Sequence, residues 1–252
     1  MLQLLYAATG VVVTGLLAGG AVASGALTRP AGVVAALFGV VIVLVAGFAY
    51  LALLVLFVVA SVLATRYRFD VKATAHVQEG VHGERGVSNV LAHILVPCGL
   101  VLLAHFGPWQ FHGAILAPLY ASALSFGAAD TFASEFGVLA GNARSIISGG
   151  PVTAGTNGGV SAVGEAWAVV GALTTAVVGL VLLRSLGSPY GSATLFLFTV
   201  AIAGFLGCQV DSVLGETLEN RGVLTKGGTN LLSMVATVGI AAVLLALGGG
   251  YR

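Results

Sequence analysis

The chain has 252 residues, of which 58% are hydrophobic and only 8% are charged, against about 25% charged residues in an average soluble protein. So few charges cannot cover the surface of a soluble domain of this size, so the composition excludes that class and predicts a polytopic membrane protein. The formal net charge of +1 gives no indication of a nucleic-acid partner, and we expect none.

Apolar runs of about 20 residues, the length that a membrane-spanning helix needs, recur along the chain. The run Ala31–Thr65 has no charged residue and is too long for one untilted span, so we divide it near Ala46–Phe48. The other predicted spans are Leu2–Ala23, Ser88–Ala104, His112–Ala129, Trp167–Leu183, Ser192–Val210 and Leu231–Leu247. The sequence therefore predicts a single all-α transmembrane domain over 1–252 with about eight helices.

Three polar segments separate these spans: 66–87, 130–165 and 211–230. Lys and Arg are enriched in the cytoplasmic loops of membrane proteins. With eight spans and an external N-terminus, eight Lys and Arg residues fall on the cytoplasmic side and two on the opposite side. We therefore expect a multi-pass protein of the cell membrane whose three polar segments are cytoplasmic loops, where they would meet nucleotides.

The chain contains two similar acid motifs. The segment Asp130–Glu135 reads DTFASE, and Asp211–Glu216 reads DSVLGE, with the same order of acid, hydroxyl residue, small residue and acid. Each is followed by a Gly-Thr-Asn, at Gly155–Asn157 and at Gly228–Asn230. Membrane proteins built from repeats tend to place their site at the interface between the repeats. The similarity of the two motifs therefore predicts an internal repeat and a single site to which both motifs contribute.

The four acids suggest a bound cation. A charged side chain within a bilayer costs about 2.5–3.5 kcal/mol on insertion scales, and Mg²⁺ usually has one or two carboxylate ligands together with water and substrate phosphate. Residues five apart in a helix lie about 140° apart, so the two acids of one motif need not share one ion. Each acid could instead cap a helix or pair with an Arg. The predicted metal ligands are Asp130, Asp211, Glu135 and Glu216.

The glycine-rich turn Gly155–Gly159 has the composition of a phosphate-binding loop. Glycines let successive backbone N–H groups point at one anion, and the N-terminus of the next helix adds a favourable dipole. The Walker A pattern is absent, so a P-loop fold is not implied, and such a turn could also be purely structural. The predicted nucleotide-binding residues are Gly155, Thr156, Asn157, Gly158, Gly159, Ser161, Asn89, Lys226 and Asn230.

Cations in the polar segments could neutralise a transferring phosphoryl group. They are Lys72, Arg85, Arg144 and Lys226. Alternatively, Arg144 could serve only to orient the chain in the membrane, Lys72 and Arg85 could be solvated, and Asn89 could make an interhelical hydrogen bond. With these alternatives open, the predicted catalytic residues are Asp130, Glu135, Asp211, Glu216, Arg144, Lys72 and Arg85.

Four blocks carry a resemblance to a known family: ADTFASEFG at 129–137, PVTAGTNGGVSAVGE at 151–165, GCQVDSVLGETLE at 207–219 and ERGVSNVLA at 84–92. They resemble the signature blocks of the integral-membrane family that includes the plant phytyl-phosphate kinase and the animal transmembrane protein 19. The resemblance covers most of the chain. It implies a CTP-preferring kinase that converts an isoprenyl monophosphate to the diphosphate, whereas the related dolichol and phytol kinases phosphorylate the free alcohol.

The hypothesis from the sequence is a membrane-embedded, Mg²⁺-dependent prenyl-phosphate kinase with CTP or another NTP as phosphoryl donor. Its expected partners are the nucleotide, surrounding membrane lipid, and an isoprenyl phosphate such as phytyl or geranylgeranyl phosphate. A polyprenol kinase and a CDP-lipid cytidylyltransferase are alternatives. A small ion or anion transporter is an alternative of another class. It would hold its acids near mid-span, whereas the sequence places them at span ends, which favours an enzyme.

Overall fold

The computed structural model of the protein describes residues 1–107 and 113–249. The helices are α1 (Leu2–Ala23), α2 (Arg29–Val45), α3 (Phe48–Arg66), α4 (Phe69–Thr74), α5 (Val87–Phe106), α6 (Gly113–Gly137), α7 (Ala162–Ser185), α8 (Ala193–Leu214) and α9 (Lys226–Leu247). A 3₁₀ turn (Val138–Ala140) and three short strands, β1 (Ala143–Ser145), β2 (Pro151–Val152) and β3 (Gly159–Val160), lie between α6 and α7, and a π-helical turn (Gly215–Glu219) follows α8. The predicted start of the fifth span at His112 lies outside the described residues.

Six helices in the described ranges are long and apolar enough to cross a membrane: α1 from Gln3, α3, α5, α7, α8 with its π-helical turn, and α9. The predicted all-α polytopic class is therefore confirmed, while the count of eight spans is not. Two long helices are not among the six: α2, which has 17 residues, and α6, which contains many small and hydroxyl residues and two acids.

Helix α6 is the centre of the bundle. Helices α3, α5, α7, α8 and α9 all pack against it, and residues 116–129 are all buried. A helix that is enclosed by other helices does not face lipid, so it can carry small and polar side chains that make interhelical contacts. Tyr120 illustrates this, because its hydroxyl donates a 2.9 Å hydrogen bond to the backbone carbonyl of Tyr50 on α3. The central position explains why α6 is less apolar than its neighbours.

Small residues allow the surrounding helices to approach α6 closely, as is common inside membranes. A Cβ added at Gly171 of α7 would lie 2.8 Å from the carbonyl oxygen of Ala128 on α6. Gly204 of α8 packs in the same way on Ser125 of α6. These contacts hold α6, α7 and α8 at fixed distances, and they thereby set the relative positions of the acids that the helices carry.

The polar segments meet at one end of the bundle. The loop before α5 pairs with the α1–α2 loop, because the Arg85 N–H donates to the carbonyl of Ala26 at 2.9 Å and the Thr28 N–H donates to the carbonyl of Arg85 at 3.2 Å. In the same region, Lys226 at the start of α9 contacts Glu79 in the segment before α5. The three polar segments therefore form one surface of the protein.

The boundaries of the polar segments differ from the predicted loops. Helix α6 continues through the first acid motif to Gly137, and the second motif lies in α8 and its π-helical turn. The acids are therefore held on helices. The segment between α6 and α7 adds a small antiparallel sheet with strand order β2-β1-β3, in which Arg144 is opposite both Pro151 and Val160.

Candidate active site

A polar cavity of about 210 Å³ lies where α5, α6, α8 and α9 meet the β-strand segment. It contains carboxylates, cations and the glycine-rich turn together. The predicted site residues that line it are Arg85, Asn89, Asp130, Glu135, Gly155, Thr156, Asn157, Gly158, Gly159, Ser161, Asp211, Lys226 and Asn230. The structure thus brings together most of the residues that the motifs indicated, and it leaves Lys72, Arg144 and Glu216 outside the cavity wall.

Asp130 of α6 and Asp211 of α8 are the equivalent acids of the two motifs, and both line this cavity. Their carboxylates are close enough to repel each other electrostatically. The Oδ1 atom of Asp211 is buried and has no hydrogen-bond partner among the described residues. Two partly buried carboxylates that repel each other are unfavourable without counter-charge, so a cation between them would add to the positive charge that Lys226 and Arg85 supply to Asp130.

Carboxylate oxygens such as those of Asp130 and Asp211 are the type of ligand that Mg²⁺ takes in proteins. Nowhere in residues 1–107 and 113–249 do three or more His, Cys, Asp and Glu side chains form a group that could hold a metal. A cation between Asp130 and Asp211 would therefore complete its coordination with water, amide oxygens or substrate phosphate. That is the usual environment of Mg²⁺, which keeps few protein ligands.

Glu135 has a different environment from Asp130. Its Oε1 accepts a 2.7 Å hydrogen bond from Thr65 Oγ1, and its Oε2 lies 2.6 Å from Lys72 Nζ. Lys72 Nζ also donates to the carbonyls of Ala64 and Thr65 at the end of α3. Both carboxylate oxygens are occupied, so this geometry does not support the predicted metal role of Glu135. Lys72 is fully buried in the ion pair and is not placed to contact phosphate.

Arg85 lies between this ion pair and the cavity. Its guanidinium donates to Thr65 Oγ1 at 3.2 Å and to Asn89 Oδ1 at 3.0 Å, while Nε is buried without a partner in the described part of the chain. The positive charge of Arg85 acts on Asp130, Glu135 and Glu79. A buried cation beside a carboxylate pair is positioned to attract an anionic substrate group.

Glu79 is a site residue that sequence reasoning missed. Its Oε2 lies 2.7 Å from Lys226 Nζ, and its Oε1 accepts from Asn89 Nδ2 at 3.4 Å. Burial raises the pKa of Glu79, but the nearby positive charges, first Lys226 and then Arg85, together more than offset this, so the pKa lies below its ordinary value. No motif marks Glu79, because an isolated acid in a polar segment looks the same whether it is solvated or paired.

The glycine-rich turn docks onto the second acid motif. Gly155 and Gly158 have φ values of +85° and +77°, which glycine adopts readily. A Cβ on Gly158 would collide with Glu216 and lie 2.9 Å from the carbonyl oxygen of Ser212. Asn157 Nδ2 donates to Glu219 Oε1 at 3.1 Å. The turn of the first motif is therefore held by the helix of the second.

The N–H groups of this turn are only partly available to an anion. The Thr156 and Gly159 N–H groups donate to the carbonyls of Thr153 and Thr156 within the turn. Ser161 is the N-cap of α7, since its Oγ accepts from the Gly164 N–H at 3.1 Å. Asn157 and the first turn of α7, with Ser161 and Gly164, line the cavity, and the N-terminus of a helix is a favourable place for a phosphate.

Glu216 and Arg144 stabilise the strand segment. Glu216 Oε1 accepts a 2.6 Å hydrogen bond from Ser145 Oγ, and its Oε2 accepts from the Ile147 N–H at 3.3 Å. Arg144 is exposed and donates to the carbonyl of Gly149 at 2.9 Å. Neither side chain lines the cavity. The structure therefore does not support the predicted metal role of Glu216 or the predicted phosphate role of Arg144.

The second Gly-Thr-Asn differs from the first because it lies in the first turn of α9. Thr225 caps this helix by accepting from the Gly228 N–H at 3.2 Å. Asn230 is buried, lines the cavity, and follows Lys226 by one helical turn. The charge of Lys226 acts on Asp130 of the first motif. Each motif thus contributes to the surroundings of the other.

Comparisons with known proteins agree with this architecture. Residues 12–243 match the family model described as integral membrane protein DUF92. The uncharacterized membrane protein MJ0933 of Methanocaldococcus jannaschii is 30% identical over 83% of this chain and 81% of its own length. The uncharacterized membrane protein sll0875 of Synechocystis is 33% identical over 77% of this chain and 74% of its own.

A plant protein is also similar. Protein PGR of Arabidopsis thaliana is 30% identical over 70% of this chain and 67% of its own length. No solved structure matches the chain. The family model covers most of the sequence, including both acid motifs and the glycine-rich turn. The chain belongs to the DUF92 family of integral membrane proteins.

Proposed function

We propose that this protein is a Mg²⁺-dependent phosphotransferase that transfers the terminal phosphoryl group of CTP, or of another NTP, to an isoprenyl monophosphate. The observation that carries the proposal is the cavity in which Asp130 and Asp211 lie beside Arg85, Lys226 and the glycine-rich turn. The resemblance of the four sequence blocks to the phytyl-phosphate kinase family supports the choice of donor and acceptor.

The chemistry requires positioning and charge neutralisation more than covalent catalysis. An oxygen of the acceptor phosphate attacks the terminal phosphorus of the nucleotide, the bond from that phosphorus to the bridging oxygen breaks, and the nucleoside diphosphate leaves. The acceptor is already an anion, so no general base is needed. Mg²⁺, when bound by Asp130 and Asp211, would supply positive charge to the nucleotide phosphates.

The side chains of this protein supply the remaining charge. Arg85 and Lys226 lie on the cavity wall beside the carboxylate pair, where they can neutralise the acceptor and the transferring group. Glu79 and Asn89 hold these two cations in place, through the 2.7 Å pair with Lys226 and the 3.0 Å bond from Arg85. We place this end of the bundle in the cytoplasm, in accordance with the distribution of Lys and Arg.

Product analysis tests the proposal. Purified protein in detergent with Mg²⁺ would receive a panel of NTPs, with geranylgeranyl monophosphate or geranylgeraniol as acceptor, and mass spectrometry would identify the products. We expect the diphosphate lipid and CDP from the monophosphate and CTP. Product from the alcohol alone would instead indicate a polyprenol kinase. Release of pyrophosphate would indicate a CDP-lipid cytidylyltransferase, and solute flux without nucleotide turnover would indicate a transporter.

A further inference from the structure

A second cavity lies beside the polar one, between α1, α2, α3 and α5. It has a volume of about 350 Å³, near the lower end of the range for ligand pockets. Its wall is largely aliphatic and aromatic, with Leu17, Leu54, Phe57 and Val62 among the lining side chains. A cavity of this composition is suited to hydrocarbon, and its size favours one chain over two.

One end of this cavity is polar and is shared with the candidate active site. Arg85, Asn89 and His93 line both cavities. Three buried atoms at this end have no hydrogen-bond partner within the described ranges: Arg85 Nε, Ser61 Oγ and His93 Nε2. The residues are 6%, 1% and 5% exposed, respectively. Buried polar groups almost always have partners, so this cluster points to an absent polar ligand. Arg85 and Ser61 can donate to an anion. The His93 ring donates from Nδ1 to the carbonyl of Asn89 at 2.9 Å, so its Nε2 accepts and suits the O–H of a singly protonated phosphate.

The other end of the cavity is apolar. Thr14, Gly39 and Leu51 lie there, and the Thr14 hydroxyl is already satisfied by the carbonyl of Gly10 at 2.8 Å. From Leu51 to Leu63 along α3 the lining spans about 18 Å at 1.5 Å per residue, which is comparable to one leaflet of a hydrocarbon core about 30 Å thick. A lipid chain whose head lies at Arg85 would therefore reach the depth of Leu51.

The cavity borders a peripheral helix. Helix α1 packs principally against α2, and large side chains such as Leu4, Leu5 and Leu16 are exposed along it. In a membrane these side chains would contact lipid. Helix α2 packs on α3 and α5 as well, so α1 is the peripheral wall of the cavity, and this side offers a route for a lipid to reach it.

We propose that the apolar cavity binds the hydrocarbon chain of a single-chain lipid phosphate, with the phosphate at Arg85, Ser61 and His93. This inference rests on the proposed function, because it identifies the bound lipid as the acceptor. The phosphate then lies on the wall that both cavities share, where its oxygen can meet the nucleotide. The depth of the cavity limits the length of the chain that the protein accepts.

Cavity-filling variants test the proposal. Ala35 lines the cavity from α2, so Ala35→Phe should shorten it, whereas Leu37→Phe on the same helix changes a side chain that is 63% exposed. Binding of geranyl, farnesyl and geranylgeranyl monophosphates would be measured without nucleotide. We expect Ala35→Phe to weaken binding of geranylgeranyl phosphate by about tenfold or more, since each methylene that no longer fits an apolar pocket lowers the affinity. Binding of geranyl phosphate should be affected least. Leu37→Phe should match the wild type.

The design separates this inference from the proposed function. If Ala35→Phe does not elute as a monodisperse protein in detergent, Ala18→Phe makes the same test from α1. Chain-length-dependent binding without phosphoryl transfer would support the inference and overturn the proposed function. If Ala35→Phe transfers the phosphoryl group with the same preference among chain lengths as the wild type, the proposed function would be supported and this inference overturned.

The head group is tested by one further comparison. In Arg85→Gln, binding of geranylgeranyl phosphate should weaken much more than binding of geranylgeraniol, because only the phosphate depends on the cation. Equal loss for both would contradict the placement of the phosphate at Arg85. Competition by diacyl phosphatidic acid as strong as that by geranylgeranyl phosphate would contradict the single-chain assignment.

Discussion

Lys72 of α4 and Glu135 of α6 form an ion pair of 2.6 Å in which the Lys72 side chain is fully buried. The pair joins the short helix α4 to the central helix and, through Thr65, reaches Arg85. The ion pair therefore couples the position of Arg85 in the candidate active site to the packing of α3 and α6.

Breaking this pair should destabilise the protein. Removing one partner of a buried ion pair leaves an uncompensated charge and costs about 3–5 kcal/mol, so we expect Lys72→Met to lower the melting temperature in detergent strongly. The double variant Lys72→Met/Glu135→Gln should recover part of the loss. Lys226→Met provides a comparison, because that pair involves a side chain that is 64% exposed and such pairs contribute about 0–1 kcal/mol. Equal, small effects of both single variants would show that Lys72 has no structural role.

Replacing the carboxylates that share the cavity should remove activity without unfolding the protein. We expect Asp130→Asn and Asp211→Asn each to lower the rate of phosphoryl transfer by about a hundredfold or more, the scale of losing one electrostatic group at a reacting centre. The rate would be measured over a Mg²⁺ titration, with thermal unfolding as a check of folding. Asp70→Asn on α4, an exposed acid outside the cavity, should retain wild-type activity. An active Asp130→Asn variant would refute the metal role.

The docking of the glycine-rich turn can be tested with two glycines of similar backbone conformation. Gly149 has φ +70° with nothing within 4 Å of an added Cβ, whereas a Cβ at Gly158, with φ +77°, would collide with Glu216. Both alanine variants should pay a backbone strain of about 1–3 kcal/mol. Gly158→Ala should additionally detach the turn from α8, which limited proteolysis of the strand segment and a weaker nucleotide affinity would show. Equal proteolysis and equal nucleotide affinity in the two variants would show that the contact between Gly158 and Glu216 does not hold the turn in place.

The pair of Glu79 and Lys226 predicts a component of acid sensitivity. The pKa of Glu79 is lowered in the folded protein, so this group stabilises the fold above the pKa of an unfolded Glu, about 4.3, and the contribution is lost as the pH falls through the lower folded value. We expect melting temperatures measured from pH 7 to pH 3.5 to fall less steeply in Glu79→Gln than in the wild type. The exposure of Lys226 keeps the difference small, and an unchanged slope would contradict it.

The similarity of the two acid motifs predicted the most informative feature of the site, which is that Asp130 and Asp211 line one cavity. The partners of Glu135 and Glu216 could not be predicted in the same way. Five residues along a helix turn a side chain by about 140°, so the second acid of each motif points to other elements, α3 and α4 for Glu135 and the strand segment for Glu216. Those contacts depend on tertiary packing that no local pattern records.

The helix boundaries show a similar limit. Counting apolar residues ends a span at the first acid, and it therefore placed Asp130 in a loop. The structure continues α6 to Gly137, because a central helix can direct its acids at a cavity instead of at lipid. The buried position of Lys72 and the pairing of Glu79 had no sequence signal, since both residues lie in a segment whose composition is that of a solvated loop.

The crossing of the two motifs has a consequence for any attempt to divide the chain. The turn after the first acid motif rests on α8, while Lys226, beside the second Gly-Thr-Asn, acts on Asp130. A fragment that ends before α8 would keep Asp130 and the turn but lose the surface on which the turn rests. A fragment that begins at α8 would keep Lys226 without Asp130, so neither half contains a complete cavity.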